Sequence, residues 1–504
     1  MRLRFPLLFA ASVSFAVLGC SLITSLDGLQ GGPGASDAGG DGSKADGAAT
    51  DAPADVYGGP TPVGDYSFAH HWATNARATS TAVLGAGGFV VATKYNGSIA
   101  VGPYFPPVTS PSAGLLVTLD ATGGLTGATA IGVNSGLSFD AVAAGGSSVY
   151  VAGFSGATFQ LNGTTVPAGV FIAKLSAGDL KKAPAWVHLT TNVRRLCGTC
   201  LRATSGGVVA FLEGTDTFVL DVAHTYASHG DVDLALAKFD DTTGATVWAS
   251  QMGSTAVDGA RALAVDPQGG VHVALDIGAA LTPGEALGAS PPPPVGTLST
   301  LVVASFDAGG KVLPGAHSFG DSSGGSVSAT CIDGDASGHV LVGGILNGGV
   351  DFGKGKTGSK GGSDGFVFVQ DAAGTTLWQQ TFGDVGLDDV GGCAIDPWGH
   401  VVVAGGYSAS PTIGATKLPA VTSPGFYTAK MSQTGSFDWA HGYPGRDADG
   451  GTNAISAGAN HLVIAPDGTI VVSGSLLNFA GVDFGGGPLY GTTEPDALVA
   501  GFRP

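Results

Sequence analysis

Short apolar runs rich in β-branched residues recur along the chain at roughly 60-residue intervals. They begin at Phe89, Val149, Val208, Val271, Val340, Val401 and Ile470, reading FVVAT, VYVAG, VVAFL, VHVAL, VLVGG, VVVAG and IVVSG. Each follows a weaker apolar run and a tight turn, such as Asp266-Pro267-Gln268-Gly269, Asp335-Ala336-Ser337-Gly338, Asp396-Pro397-Trp398-Gly399 or Pro466-Asp467-Gly468. In such turns the Asp side chain accepts backbone amides and Gly supplies the positive φ. A third run follows a variable loop, at 115–120, 170–176, 234–240, 301–307, 366–371, 426–432 and 497–502. Another Gly turn leads to a fourth run, marked by Trp186, Trp248, Trp378 and Trp439; repeats one and four lack this Trp. Alternation and composition predict four antiparallel strands per unit, each of about four to seven residues.

Four strands repeated seven times predict an all-β fold, a seven-bladed β-propeller with one four-stranded blade per repeat. The third run of the last repeat ends just before Pro504, and Tyr66-Ser-Phe-Ala-His-His-Trp72 reads as an unattached fourth strand with Trp72 as its tryptophan. This N-terminal strand is expected to complete the last blade and close the ring, leaving no open sheet edge. The propeller is assigned to residues 65–504.

Composition narrows the setting. Gly accounts for 86 of 504 residues, charged residues for only 12%, and the formal net charge is −18. Gly in this amount argues against long helices, and the acidic balance argues against nucleic acid as a partner. Residues 1–19 pair Arg2 and Arg4 with the apolar run Phe5–Leu18, the pattern of an export signal. The segment ends in Val17-Leu18-Gly19-Cys20, which resembles the bacterial lipobox. That resemblance implies cleavage before Cys20, lipidation of its thiol and acylation of its new amino group, with several acyl chains holding the protein on a membrane. Ser21 after the Cys favours outer-membrane sorting by analogy with enteric bacteria, with the exposed face left open. Residues 20–64 then form a tether. From Gly31 to Pro62 all but Lys44, Val56 and Tyr57 are Gly, Ala, Ser, Asp, Pro or Thr, a composition expected to remain flexible.

The repeat residues resemble the bacterial seven-bladed β-propeller repeat (SBBP) family, whose pattern includes W-x-x-x-F-G, D-x-x-G-x-V and V-D-F-G. Trp378-Gln-Gln-Thr-Phe382-Gly383, Asp396-Pro-Trp-Gly-His-Val401, Val350-Asp351-Phe352-Gly353 and Val482-Asp483-Phe484-Gly485 carry the likeness. It implies the propeller fold and an extracytoplasmic setting, and no reaction, because no catalytic residue belongs to the repeat.

Candidate chemistry is sparse. Cys197 and Cys200 form Cys-Gly-Thr-Cys on the approach to blade three, and in an exported protein they are expected to form a disulfide. Cys331 and Cys393 occupy nearly equivalent first-strand positions in blades five and six, where an inter-blade bridge and two buried thiols fit equally well. His339 and His400 share one turn position, and the adjacent His70 and His71 point to opposite strand faces, so they cannot share a metal. No catalytic residue, metal site or cofactor can be named. Calcium would suit the 36 Asp, with Asp333-Gly334-Asp335 the nearest approach to a cluster, but single Asp at turns read first as turn formers. Phe239-Asp-Asp-Thr-Thr-Gly-Ala-Thr-Val-Trp248 resembles the tryptophan-docking strand of quinoprotein propellers and is taken as packing, with no quinone cofactor implied.

The reading is a monomeric, lipid-anchored envelope module that binds a protein or polysaccharide. The alternatives are a polysaccharide lyase or hydrolase working in the central channel and, further off, a quinone-dependent propeller. Recognition is expected on the loops between second and third strands, the longest of which, about Ala279–Leu298, carries Pro291–Pro294 as a projecting polyproline rod.

Overall fold

A computed structural model describes residues 64–504, apart from 73–77, 86, 102–104, 133–134, 297, 448–457, 477–479 and 491–495. The signal segment, Cys20 and the tether up to residue 63 lie outside the described residues, as does Glu494. No helix occurs among the described residues; the chain forms seven four-stranded antiparallel sheets in sequence order. Blade five is representative: Ser326–Gly334, Val340–Asn347, Asp364–Gln370 and Thr376–Phe382 pair in that order. The molecule is a seven-bladed β-propeller.

The apolar runs of second and third strands do not alternate because both of their faces are covered. Every residue of Val271–Ile277, Asp364–Gln370, Ile470–Leu476 and Asp496–Phe502 is buried between neighbouring blades. Alternation survives in outer strands such as Thr376–Phe382, which keep one side toward solvent. The VDFG segments form small ribbons under the loops. Asp351 Oδ1 accepts the amides of Gly353 and Gly355, and Asp483 Oδ1 those of Gly485 and Gly487. Buried Phe352 then stacks on Phe366 and Phe368 at 4.7 and 4.8 Å.

Trp side chains fasten blades two, three and five to the blades that follow them. Trp186 Nε1 donates to Asp241 O (2.9 Å), Trp248 Nε1 to Ala308 O (3.2 Å) and Trp378 Nε1 to Gln433 O (2.8 Å). Each ring covers a turn glycine of the following blade: a Cβ on Gly244, Gly310 or Gly435 would fall 2.5–2.6 Å from it. The docking-like segment around Trp248 is therefore packing, as its sequence suggests. In blade four, Gly315 takes the Trp position and the backbones meet directly, so that a Cβ on Gly374 would lie 2.2 Å from Gly315 O.

The N-terminal strand Tyr66–Trp72 pairs with Asp496–Phe502 and completes blade seven, from Tyr66 opposite Phe502 to Trp72 opposite Ala497. The docking aromatic of this strand is Phe68, not Trp72. Phe68 stands opposite Gly501 and covers Gly123 of blade one, while His70 Nε2 meets Gly123 O at 2.7 Å. Trp72 takes the place filled by Met252 in blade three and Phe382 in blade five, one residue into the third-strand register. Counting by four residues from either aromatic reproduces the repeat, which is why the sequence alone selects the wrong one.

Both cysteine pairs are bridged. Cys331–Cys393 joins the first strands of blades five and six, with Cα atoms 5.6 Å apart. Cys197–Cys200 lies within the first strand of blade three, Thr191–Thr204, rather than ahead of it.

Candidate functional site

The innermost strands surround a channel. At one equivalent register position near the first turn they carry Ala82, Ala143, Arg202, Ala264, Asp333, Ala394 and Val463, in blades one to seven. Five of these seven are small or apolar, as a narrow channel requires. Arg202 and Asp333 break the pattern, and His461, two residues before Val463, joins them around a cavity of about 250 Å³.

Each of the three is held differently. Arg202 Nη1 donates to Leu201 O at 3.1 Å, and Nη2 lies 3.4 Å from His461 Nε2. His461 is 2% exposed, and its Nδ1 accepts the amide of Thr81 at 3.1 Å. Burial, reinforced by Arg202, pushes the His461 pKa down to about 3, so its ring is neutral at ordinary pH. Asp333 accepts the amide of Gly334 on Oδ1 (2.9 Å) and that of Ile395, from blade six, on Oδ2 (2.8 Å). Burial raises the Asp333 pKa against these hydrogen bonds and the field of Arg202; burial likewise lowers that of Arg202, against the field of Asp333. Ile395 and Ile464 also line a hollow of about 460 Å³ among the turns of blades four to seven, which adjoins this cavity on the turn face of the disc.

Away from the turns the channel is filled. Opposite Leu196–Leu201 the second strand advances only from Leu212 to Ala210, so Cys197-Gly198-Thr199-Cys200 is extruded as a bulge. Ser80 Oγ of blade one donates to Gly198 O at 2.7 Å, and a Cβ on Gly198 would lie 2.4 Å from Thr79 O. Blades one and three are not neighbours, so this contact spans the channel. Thr199 Oγ1 also donates to Arg261 O of blade four at 3.2 Å. The Cys197–Cys200 disulfide thus clamps a plug, a role its spacing does not reveal.

Elsewhere the sequence candidates resolve into structure. Asp335 Oδ1 accepts the amides of Ser337 and His339, and Asp396 Oδ1 those of Trp398 and His400, so these Asp shape their turns. Asp333 and Asp335 therefore do separate jobs rather than forming one cluster. His339 meets Asp335 and His400 meets Asp438 beside the turns, outside the channel. His70 reaches blade one, while His71 lies 3.7 Å from Asp496 within blade seven. Glu213 is clamped by Arg195 through both oxygens (2.7 and 3.0 Å) and accepts the amide of Ala260, tying blade three to blade four.

One carboxylate group on the loop face is Asp233, Asp258 and Glu285. Asp233 accepts the amide of His229, Asp258 that of Ser254, and Glu285 that of Gly253. The first two contacts recur two blades on, where Asp364 accepts the amide of Lys360 and Asp388 that of Asp384. A device repeated around a ring in this way belongs to the scaffold.

The long blade-four loop does not project as a free rod. Its start is tied to blade three, Thr282 N donating to Gly253 O and Ala286 N to Gln251 O, each at 2.9 Å. Its end is tied back through the amides of Val295 and Gly296 to Thr300 Oγ1. Pro291–Pro293 lie along the rim, walling a groove against Lys311–Ser318.

No protein-family model matches the chain, and no curated protein matches it. Among solved structures it is similar to YCF48 bound to D1 peptide, with 10% identity and TM-score 0.41 over 90% of this chain and 99% of that one. It is also similar to the quinohemoprotein alcohol dehydrogenase ADHIIG from Pseudomonas putida HK5, with 11% identity, TM-score 0.36, and 85% and 76% of the two chains covered. The NanB sialidase from Streptococcus pneumoniae gives 8% identity and TM-score 0.36 over 88% and 70%. Likenesses at this level say nothing about ligand or chemistry.

The buried carboxyls make a pH prediction. Burial, with Asp388 adding to it, raises Asp389 to about 6, while its Oδ1 accepts the amide of Gly406 at 2.7 Å. A carboxyl raised in the folded state favours folding below its unfolded pKa, and that contribution is lost as pH rises through the folded value. Asp389→Asn is therefore expected to match the parent's melting temperature at pH 4 and exceed it at pH 7.5. A gap between the two proteins that did not widen with pH would refute the assignment.

Proposed function

We propose that this chain is a lipid-anchored binding propeller of the bacterial envelope, of the kind its resemblance to the SBBP repeat implies. In this reading Cys20 carries the anchor on the outer membrane, residues 20–64 give reach, and the monomeric disc binds an envelope protein or polysaccharide. The supporting observation is how the carboxylates are used. Asp333, the one carboxylate lining the described channel cavity, accepts two backbone amides, and the acidic group on the loop face is a repeated scaffold device. Glycoside hydrolysis needs two carboxyls flanking a shared space at a defined separation. The lyase or hydrolase reading stands second, and the quinone reading third.

The test uses the full-length protein in detergent with immobilised cell-wall polysaccharide and lipopolysaccharide. Saturable retention without release of reducing ends is the expected result. Release of reducing ends that disappears in Asp333→Asn would instead establish the hydrolase. Mass analysis of the N-terminal peptide checks the anchor: Cys20→Ala should lose both the acyl mass and membrane fractionation.

A further inference from the structure

Two hydrogen-bond donors converge at His461 in the channel cavity. The amide of Thr81 donates to His461 Nδ1 at 3.1 Å, so in the neutral ring the proton sits on Nε2. That Nε2–H faces Arg202 Nη2 at 3.4 Å, and Nη2 is itself a donor without a lone pair. Reversing the ring tautomer only moves the conflict to Thr81. Two donors that converge in this way call for one shared acceptor between them.

Nothing else nearby supplies it. Among the described residues no carboxylate oxygen lies within 4.0 Å of Arg202, whose acceptor on the protein is its neighbour Leu201 O. Thr81 also lines the cavity; it is 1% exposed, and its Oγ1 has no hydrogen-bond partner. A buried hydroxyl left without a partner is costly, and the half-buried guanidinium beside it has donors free to take an acceptor in the same space. The volume, about 250 Å³, corresponds to roughly eight water molecules. Asp333 on the same layer of the channel disfavours a second negative charge on whatever binds.

We propose that this cavity is a binding site for a small monocarboxylate, with Arg202 and the His461 Nε2–H sharing its oxygens and Thr81 Oγ1 donating to it. The ligand enters from the turn face, because the Cys197–Cys200 bulge fills the channel on the other side. The site is independent of the anchor and of any envelope partner: a protein that retains polysaccharide but ignores carboxylates sinks this proposal and leaves the binding-propeller reading standing.

The experiment is calorimetric titration of the full-length protein with sodium acetate and sodium lactate, with sodium chloride and sodium phosphate as comparators. Saturable heat with either carboxylate, and weaker or no heat with phosphate, is expected. Arg202→Met should weaken binding by roughly tenfold or more, the scale of a charge-assisted hydrogen bond. Thr81→Val, which keeps the backbone amide and the shape, should weaken it a fewfold and guards against misfolding of the Arg202 variant. Absence of saturable heat in the parent, or equal affinity in a folded Arg202→Met or in Thr81→Val, overturns the proposal. Equal binding of chloride or phosphate would overturn the carboxylate assignment.

Discussion

Removing residues 65–73 is expected to abolish cooperative unfolding, whereas removing 21–60 should leave the melting temperature unchanged. The first deletion bares the whole edge of Asp496–Phe502 and takes away Phe68 and Trp72, which are 7% and 4% exposed. Loss of a buried aromatic side chain costs about 3–5 kcal/mol, so two of them rival the whole 5–15 kcal/mol by which a typical domain is stable. The gap left against Gly123 also loosens blade seven from blade one. Differential scanning calorimetry of the two deletions decides the point. Equal transition temperatures would mean that the ring is not closed by this strand.

The second large effect belongs to the bridge between blades five and six. Cys331 and Cys393 are 62 positions apart, and closing a loop of that length removes about 4 kcal/mol of unfolded-chain entropy on the usual model. Cys197 and Cys200 are three positions apart, and the same relation gives about 2 kcal/mol. Cys331→Ala/Cys393→Ala should therefore lower the denaturation free energy of the oxidised protein by about twice as much as Cys197→Ala/Cys200→Ala. Gly343 offers a check on packing, since a Cβ there would lie 2.8 Å from Cys331 Sγ and 3.2 Å from Cys393 Sγ. Equilibrium urea unfolding measures both variants. A Cys331/Cys393 variant as stable as its parent would show that the bridge does not constrain the chain.

The blades were legible because two local signals coincide in each repeat. Buried second and third strands read as unbroken apolar runs, and the Asp and Gly turns between strands carry their own chemistry, as the amides gathered by Asp335 and Asp396 demonstrate. What could not be read locally depends on closing the ring. Gly198 meets Thr79 only because ring closure brings blades one and three together at the axis past blade two, and nothing in Cys-Gly-Thr-Cys encodes that approach. The assignment of Trp72 over Phe68 failed because aromatics stand at both ends of the four-residue spacing. Arg202 and Asp333 did leave a trace: aligned on the first turn, they are the two charges in a column otherwise made of Ala and Val. His461 left none, since its partners come from blades one and three.

The way the closing strand sits also decides how the disc bears load. Tyr66 lies opposite Phe502, at the turn-face end of the sheet, and the strand runs from there across the thickness of the disc to Trp72. A pull from the N-terminal side, directed away from the turn face, acts along the strand. The rungs of its ladder with Asp496–Phe502 are then strained together, in shear, instead of parting one after another as in a zipper. The element that seals the ring is thus oriented so that tension applied from its N-terminal side loads all of its rungs at once.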